Sequence, residues 1–322
     1  MVPLVSLNLV NFFLILQEAT YTTKSDRRTT VLQEKIWKEK LHHHHRRIDA
    51  HTRSYLYYRE RGHRHPVHDF LFEYYSFRPS YLRRWSPGIN IELQNGDTHT
   101  FSGKFGFRSS NGNRYLDKSL FPPHRIDGLE WTLNLLNQIA GRSPSLGCYG
   151  LHEWAMVYNQ GHNRRHSQVP LRMSPEKLDT FVESQNLVCT HYDAFRFYTE
   201  EAKPLNRFQP TRKSFPETEQ PGCLHTNMDL YKWAYKFYPW VDSDLIADCF
   251  ELAIDIRSVD MKASPYDLRD YGYDPIKIET EDGKAYYRSE QKRIASEAEP
   301  IRERLINSLA TLKNEVSRSD YI

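Results

Sequence analysis

Charge of one sign, long apolar runs and closely spaced cysteines are all scarce in this sequence. The net charge is only +3 over 322 residues, too little to require a polyanionic partner. Four cysteines, Cys148, Cys189, Cys223 and Cys249, stand far apart with no C-x-x-C. That excludes the usual zinc-ribbon spacing and favours free thiols in a reducing compartment over a disulfide framework. The apolar stretch at residues 1–16 contains Asn8 and Asn11 and has no Lys or Arg before it. It is too short to span a bilayer and a poor match to a secretory signal. The expectation is a soluble intracellular chain, with cytoplasm, nucleus and organelle not distinguished. Glycine-rich phosphate loops, G-x-S-x-G and H-E-x-x-H are missing, and His152-Glu153 lacks a second His at the zinc-protease spacing. No internal repeat or long linker divides the chain. A single domain over 31–318 is therefore expected, with a disordered leader at 1–30 and a tail at 319–322.

What is abundant is aromatic surface. Twenty-one Tyr, sixteen Phe and six Trp provide large buried areas whose polar tips need partners. Mean hydropathy is −0.73, so the interior must also hold paired polar groups. Helical spacing is expected at 31–58, from about Phe70, at 127–139, after Ser174-Pro175, on both sides of Pro239 and at 291–316. A hairpin is expected near 89–107 around Asn95-Gly96, with 109–113 as a polar loop. Residues 188–198 read equally as strand or helix. The fold class is mainly α with a small β-hairpin, α+β at most.

The stretch 220–268 organises the functional reading. His225 and Asp229 lie one helical turn apart. After Pro239, Asp242 or Ser243 can cap a helix. On it Asp244, Asp248, Glu251 and Asp255 form one stripe, about 100° round from the apolar Leu245, Cys249, Leu252, Ile256 and Val259. Five clusters emerge: His65/His68/Asp69, His152/Glu153, His191/Asp193, His225/Asp229, and the acid stripe with Arg257 and Asp260. One His beside one acid is most often a satisfied hydrogen bond. Several in aromatic surroundings point to acid–base chemistry, because apolar neighbours raise carboxylate pKa values and His titrates near neutrality. The candidate catalytic residues are Asp229, Asp248, Asp255, His225, His191, Asp193, His152 and Glu153. Tyr231, Trp233, Trp154, Arg257 and Arg196 are candidates for substrate contact. For a divalent metal such as iron, manganese or zinc, His225, Asp229 and Glu251 form the expected shell. From Lys24 to Arg64, twelve Lys or Arg face five Asp or Glu; this segment is either a DNA-phosphate contact or a solvated helix. The run His42–His45 points all round a helix and builds no defined metal site.

The blocks HPVHDFLFEYYSFRPSYLRRWSPG, GLHEWAMVY, CTHYDAFRFYT, EQPGCLHTNMDLYKWAYKF and DMKASPYDL resemble a family whose bacterial members commonly carry the label 3-methyladenine DNA glycosylase. The resemblance covers about His65 to Leu268. It implies excision of alkylated bases, with an aromatic pocket for a cationic base and a carboxylate for the developing sugar cation. Tyr231, Trp233, Tyr235 and Trp240 have the residue types for the first role, and Asp229, Asp248 or Asp255 for the second. A helix-hairpin-helix and a Cys/His zinc arrangement are both missing. Three readings stand: base excision, a metal-dependent oxygenase or hydrolase acting on a small molecule, and a non-catalytic binding protein.

Overall fold

A computed structural model describes residues 29–317 apart from 97–100, 102–103, 162–163 and 165–167. Residues 1–28 of the expected leader, the tail and part of the return after Asn95-Gly96 lie outside the described residues, while Thr30, expected in the leader, belongs to a strand.

Helices dominate, with one small sheet at the edge. Strand β1 (Thr30–Leu32) leads into the long helix α1 (Glu34–Glu60). Two short helices follow, α2 (Phe70–Glu73) and α3 (Pro79–Leu82); Pro79 ends one path and starts the next from the first helical position. Strands β2 (Ile91–Leu93), β3 (Phe107–Ser110) and β4 (Asn113–Leu116) join β1 in the order β1-β2-β4-β3. β1 and β2 are parallel, and the other pairs antiparallel. Among the described residues β2 pairs with β1 and β4 rather than with a return over 99–107, and the tight hairpin is therefore β3–β4. Its turn is Asn111-Gly112, within the stretch expected to be a loop. Both residues have positive φ, 51° and 78°, as the favoured two-residue hairpin turn requires.

Helix α4 (Ile126–Ala140) ends at Gly141, as its periodicity predicts. Three short helices, α5 (Leu151–Ala155), α6 (Pro175–Glu183) and α7 (Tyr192–Phe195), sit among loops. The 188–198 stretch thus contains a helical turn rather than a strand. Just before it, Leu187 makes an isolated bridge to Asn206. After α8 (Phe215–Thr218), helices α9 (Leu224–Lys236) and α10 (Ser243–Ala263) form the most extensive helix pair. Asp242 is the cap of α10: its Oδ1 accepts from the Leu245 amide at 2.8 Å. Helix α11 (Glu281–Ser317) runs through Pro300 for 37 residues and packs on α4, α9 and α10.

The apolar stripe of α10 is buried, as its spacing demands, among Trp37, Trp154, Trp240, Tyr231 and Tyr287. The acid stripe beside it holds helices together. Arg47 of α1 donates to Asp248 at 2.7 Å and to both oxygens of Glu251 at 2.9 and 2.7 Å. Lys40 reaches Asp244 at 3.1 Å. From α11, Arg304 reaches Asp248 at 2.6 Å and Arg293 reaches Asp255 at 2.8 Å. Two of the α1 cations, Lys40 and Arg47, are thereby neutralised within the fold. Inside the His run, His44 is fully buried, its Nε2 lying 3.0 Å from the Leu82 carbonyl.

Candidate metal centre

Three elements converge beneath a cavity of about 300 Å³. Helix α5 carries His152 and Glu153, α9 carries His225, and the last turns of α10 carry Arg257 and Asp260. Gly150 adopts φ +71° to start α5, and a Cβ there would lie 3.2 Å from Ala263 Cβ. Glycine thus lets α5 approach the end of α10 closely.

His152, His225 and Asp260 each direct a ligand-type atom into one small volume, the atoms lying within 4.8 Å of one another. His152 and Asp260 are essentially buried, while His225 is half-buried on the cavity wall. His152 Nε2 lies 3.0 Å from Asp260 Oδ1 as a buried ion pair, and among the described residues neither atom has a further hydrogen-bond partner. The other carboxylate oxygen, Oδ2, accepts from Arg257 at 2.9 Å, and the same guanidinium nitrogen donates to Glu153 at 2.9 Å. While His152 keeps its proton the pair satisfies itself; without that proton Nε2 and Oδ1 are two lone-pair donors facing one volume, which a cation in the proton's place would meet.

The electrostatics follow from this packing. Burial alone would depress His152, but the Asp260 charge overrides it and holds the imidazole pKa well above 6.5. Burial would likewise raise Asp260; the His152 charge instead holds it far below the ordinary carboxylate range. His225 is pushed well below 6.5, by burial first and then by charged His152. It is therefore neutral at pH 7, the form in which an imidazole ligates.

A second group, His191, Asp193 and Asp229, adjoins the first: the His191 and His225 rings stack at 5.2 Å. It already contains a cation. Lys232 pairs with Asp229 and lies 3.5 Å from Asp193. Tyr75 donates to Asp229 at 2.9 Å, and His191 Nδ1 meets Glu219 at 2.9 Å. Burial pulls the His191 pKa down, but the Glu219 charge prevails and raises it.

The structure thus gathers His152, Glu153, His191, Asp193, His225 and Asp229 from the candidate residues into one region. It does not gather Asp248, Glu251 or Asp255, which are held by arginines of α1 and α11. The expected metal shell of His225, Asp229 and Glu251 is accordingly not assembled. Glu251 is held by Arg47 and lies 3.3 Å from His51, and Asp229 faces Tyr75 and Lys232. Among the expected substrate contacts, Arg257 lines the smaller cavity, whereas Trp233 and Arg196 line a larger one. Trp154 and Tyr231 are core residues: the Trp154 indole donates to Ala263 at 2.9 Å, and Tyr231 packs edge-on to Tyr75 and Phe77.

Asp260 is the member of this group that sequence reasoning undervalued. It follows Ile256 by four and so falls on the apolar stripe of α10, not on the acid stripe. A carboxylate where the period demands an apolar side chain was the available signal. Glu219 and Lys232 were also missed. Glu219 sits in an irregular Pro-containing connection whose periodicity says nothing about partners.

Comparison of the chain with protein-family models, with curated proteins and with solved structures found no match.

Proposed function

We propose that this chain is an enzyme that uses one divalent transition metal, held by His152, His225 and Asp260, to act on a small molecule bound in the adjoining cavity. The observation that carries the reading is the convergence of His152 Nε2, Asp260 Oδ1 and a neutral His225 within 4.8 Å of one another beside a cavity. Two imidazoles and one carboxylate, with coordination positions left over, suit iron(II) and also suit zinc or manganese. Such a metal supplies Lewis acidity and activates a small ligand at its open positions. Arg257 orients Asp260 by occupying one of its oxygens, the kind of outer contact that fixes a ligand's geometry.

The cavity itself is amphipathic. Phe70, Met156 and Phe197 offer an apolar wall, while Glu153, Arg257 and His65 offer polar contacts. Such a mixture orients a small organic substrate. His65 Nδ1 accepts from the amides of Val67 and His68 at 3.3 and 3.2 Å. Burial, helped by His68, lowers its pKa to about 4. At neutral pH the ring is uncharged with its proton on Nε2, a donor for substrate.

The base-excision reading is less well supported. Its best carboxylate, Asp229, has Tyr75 on one oxygen and Lys232 on the other, which leaves little capacity to meet a sugar cation.

Metal analysis of untagged protein tests the proposal. Wild type should retain iron, manganese or zinc near one equivalent, or bind it tightly after chelation. His225→Ala and Asp260→Asn should lose it, while Asp229→Asn keeps it. Folded wild type that binds none of these metals, or His225→Ala that binds as well as wild type, would overturn the assignment. Release of free base from methylated duplex by metal-free wild type would favour excision instead.

A further inference from the structure

The larger cavity, about 820 Å³, has the opposite character to the smaller one. Five cations, Arg125, Arg196, Arg212, Lys232 and Lys236, line it against one carboxylate, Asp193. That local surplus exceeds the net charge of the entire chain. Arg196 and Lys232 are paired with Asp193 or Asp229. Among the described residues no carboxylate pairs with Arg125, Arg212 or Lys236. Arg125 donates to the Lys236 carbonyl and lies over the Phe237 ring at 5.4 Å. Partial burial lowers its pKa, and Lys236 is lowered by desolvation and then by the Lys232 charge. Cations crowded in a concave wall raise the local concentration of anions.

Aromatic faces stand beside this charge. Trp131 is 42% exposed, whereas the other five tryptophans are buried. Its ring meets Trp233 edge-on at 5.4 Å and lies parallel to Phe215 at 6.2 Å. Trp131 thus presents an indole face on the wall of the cavity, beside its cations. The cavity's volume falls in the range of small-molecule sites.

From these observations we infer that the larger cavity binds a nucleoside polyphosphate. The base stacks on Trp131, and the phosphates are met by Arg212, Lys236 and Arg125. The inference is independent of the proposed metal centre, although Asp193 lies on the wall of both cavities.

Trp fluorescence and calorimetry on full-length protein in EDTA test it with ATP, GTP, inorganic tripolyphosphate, adenosine and a short thymidine oligonucleotide. ATP and GTP should bind and quench, more tightly than tripolyphosphate or adenosine and more weakly in high salt. Arg212→Ala and Lys236→Ala, both at exposed positions, should each weaken ATP about tenfold, the equivalent of one charge-assisted hydrogen bond. Trp131→Phe should abolish most of the quench while calorimetry still detects binding. Several results would overturn the inference: tripolyphosphate binding as tightly as ATP, an oligonucleotide binding more tightly than either nucleotide, the two charge variants binding like wild type, or no binding at low salt. Because EDTA removes divalent metals, failure here is distinguishable from failure of the metal assignment.

Discussion

Replacing Arg47 by Ala removes the clamp between α1 and α10 and leaves Asp248 and Glu251 without it. Glu251 reports what the clamp contributes. Burial would raise its pKa, but hydrogen bonds from His51 and Arg47 and the Arg47 charge bring it down from 4.5 to about 2. At 1.36 kcal/mol per pKa unit this shift corresponds to an upper bound of about 3 kcal/mol. The Glu251 side chain is 35% exposed, and solvent screening reduces that bound to about 1–2 kcal/mol. The sign follows from a lowered carboxylate pKa. The stabilisation is fully present above about pH 4.5 and is lost as pH falls through about 2. Urea denaturation of wild type and Arg47→Ala at pH 7 and near pH 3 measures it. The expected result is about 1–2 kcal/mol less stability for the variant at pH 7, with a smaller gap in acid and no change in metal content. A gap below about 0.5 kcal/mol at pH 7, within the ordinary range of surface substitutions, would refute the view that these acids bind helices together. So would a gap that widens in acid.

Three further outcomes follow from the same structure. Glu219→Gln removes the partner of buried His191 and should cost about 3 kcal/mol. The His191 pKa is raised, so the loss should be full below pH 6.5 and shrink as pH rises past the folded-state value, as urea curves at pH 6 and pH 9 would record. Metal affinity should climb by up to about tenfold per pH unit while His152 still carries a proton in the apo protein, because ligation displaces it; calorimetry in two buffers of different ionisation enthalpy counts that proton. Gly112→Ala puts a side chain at φ +78° with open space around it, so backbone strain alone should cost about 1 kcal/mol without affecting either cavity.

The long elements were legible because their periods are strong. Residues 127–139 and 291–316 and both helices around Pro239 follow from apolar spacing, and burial of the α10 apolar stripe follows with them. The sheet was only half legible. Asn95-Gly96 and Asn111-Gly112 carry the same turn signal, and sequence has no means of choosing which one closes a hairpin. At the site, the His-acid pairs were visible one at a time. Their convergence depends on α5, α7 and α9 meeting, which no local pattern encodes. The acid stripe misled for a physical reason. Carboxylates at the edge of an apolar face suit a buried catalyst and an interhelical ion pair equally, and Arg47, Arg293 and Arg304 decide the matter from distant parts of the chain.

Glu153 and Arg257 are 104 residues apart in sequence, and His152 and Asp260 are separated similarly. At a synthesis rate of roughly 5–20 residues per second, the N-terminal half of this cluster leaves the ribosome about 5–20 s before the C-terminal half. During that interval His152 has no Asp260 and Glu153 has no Arg257, so the region cannot close as a folded unit. The proposed ion therefore meets its third ligand only after the last turns of α10 have been made, so the full shell cannot form on the nascent N-terminal half.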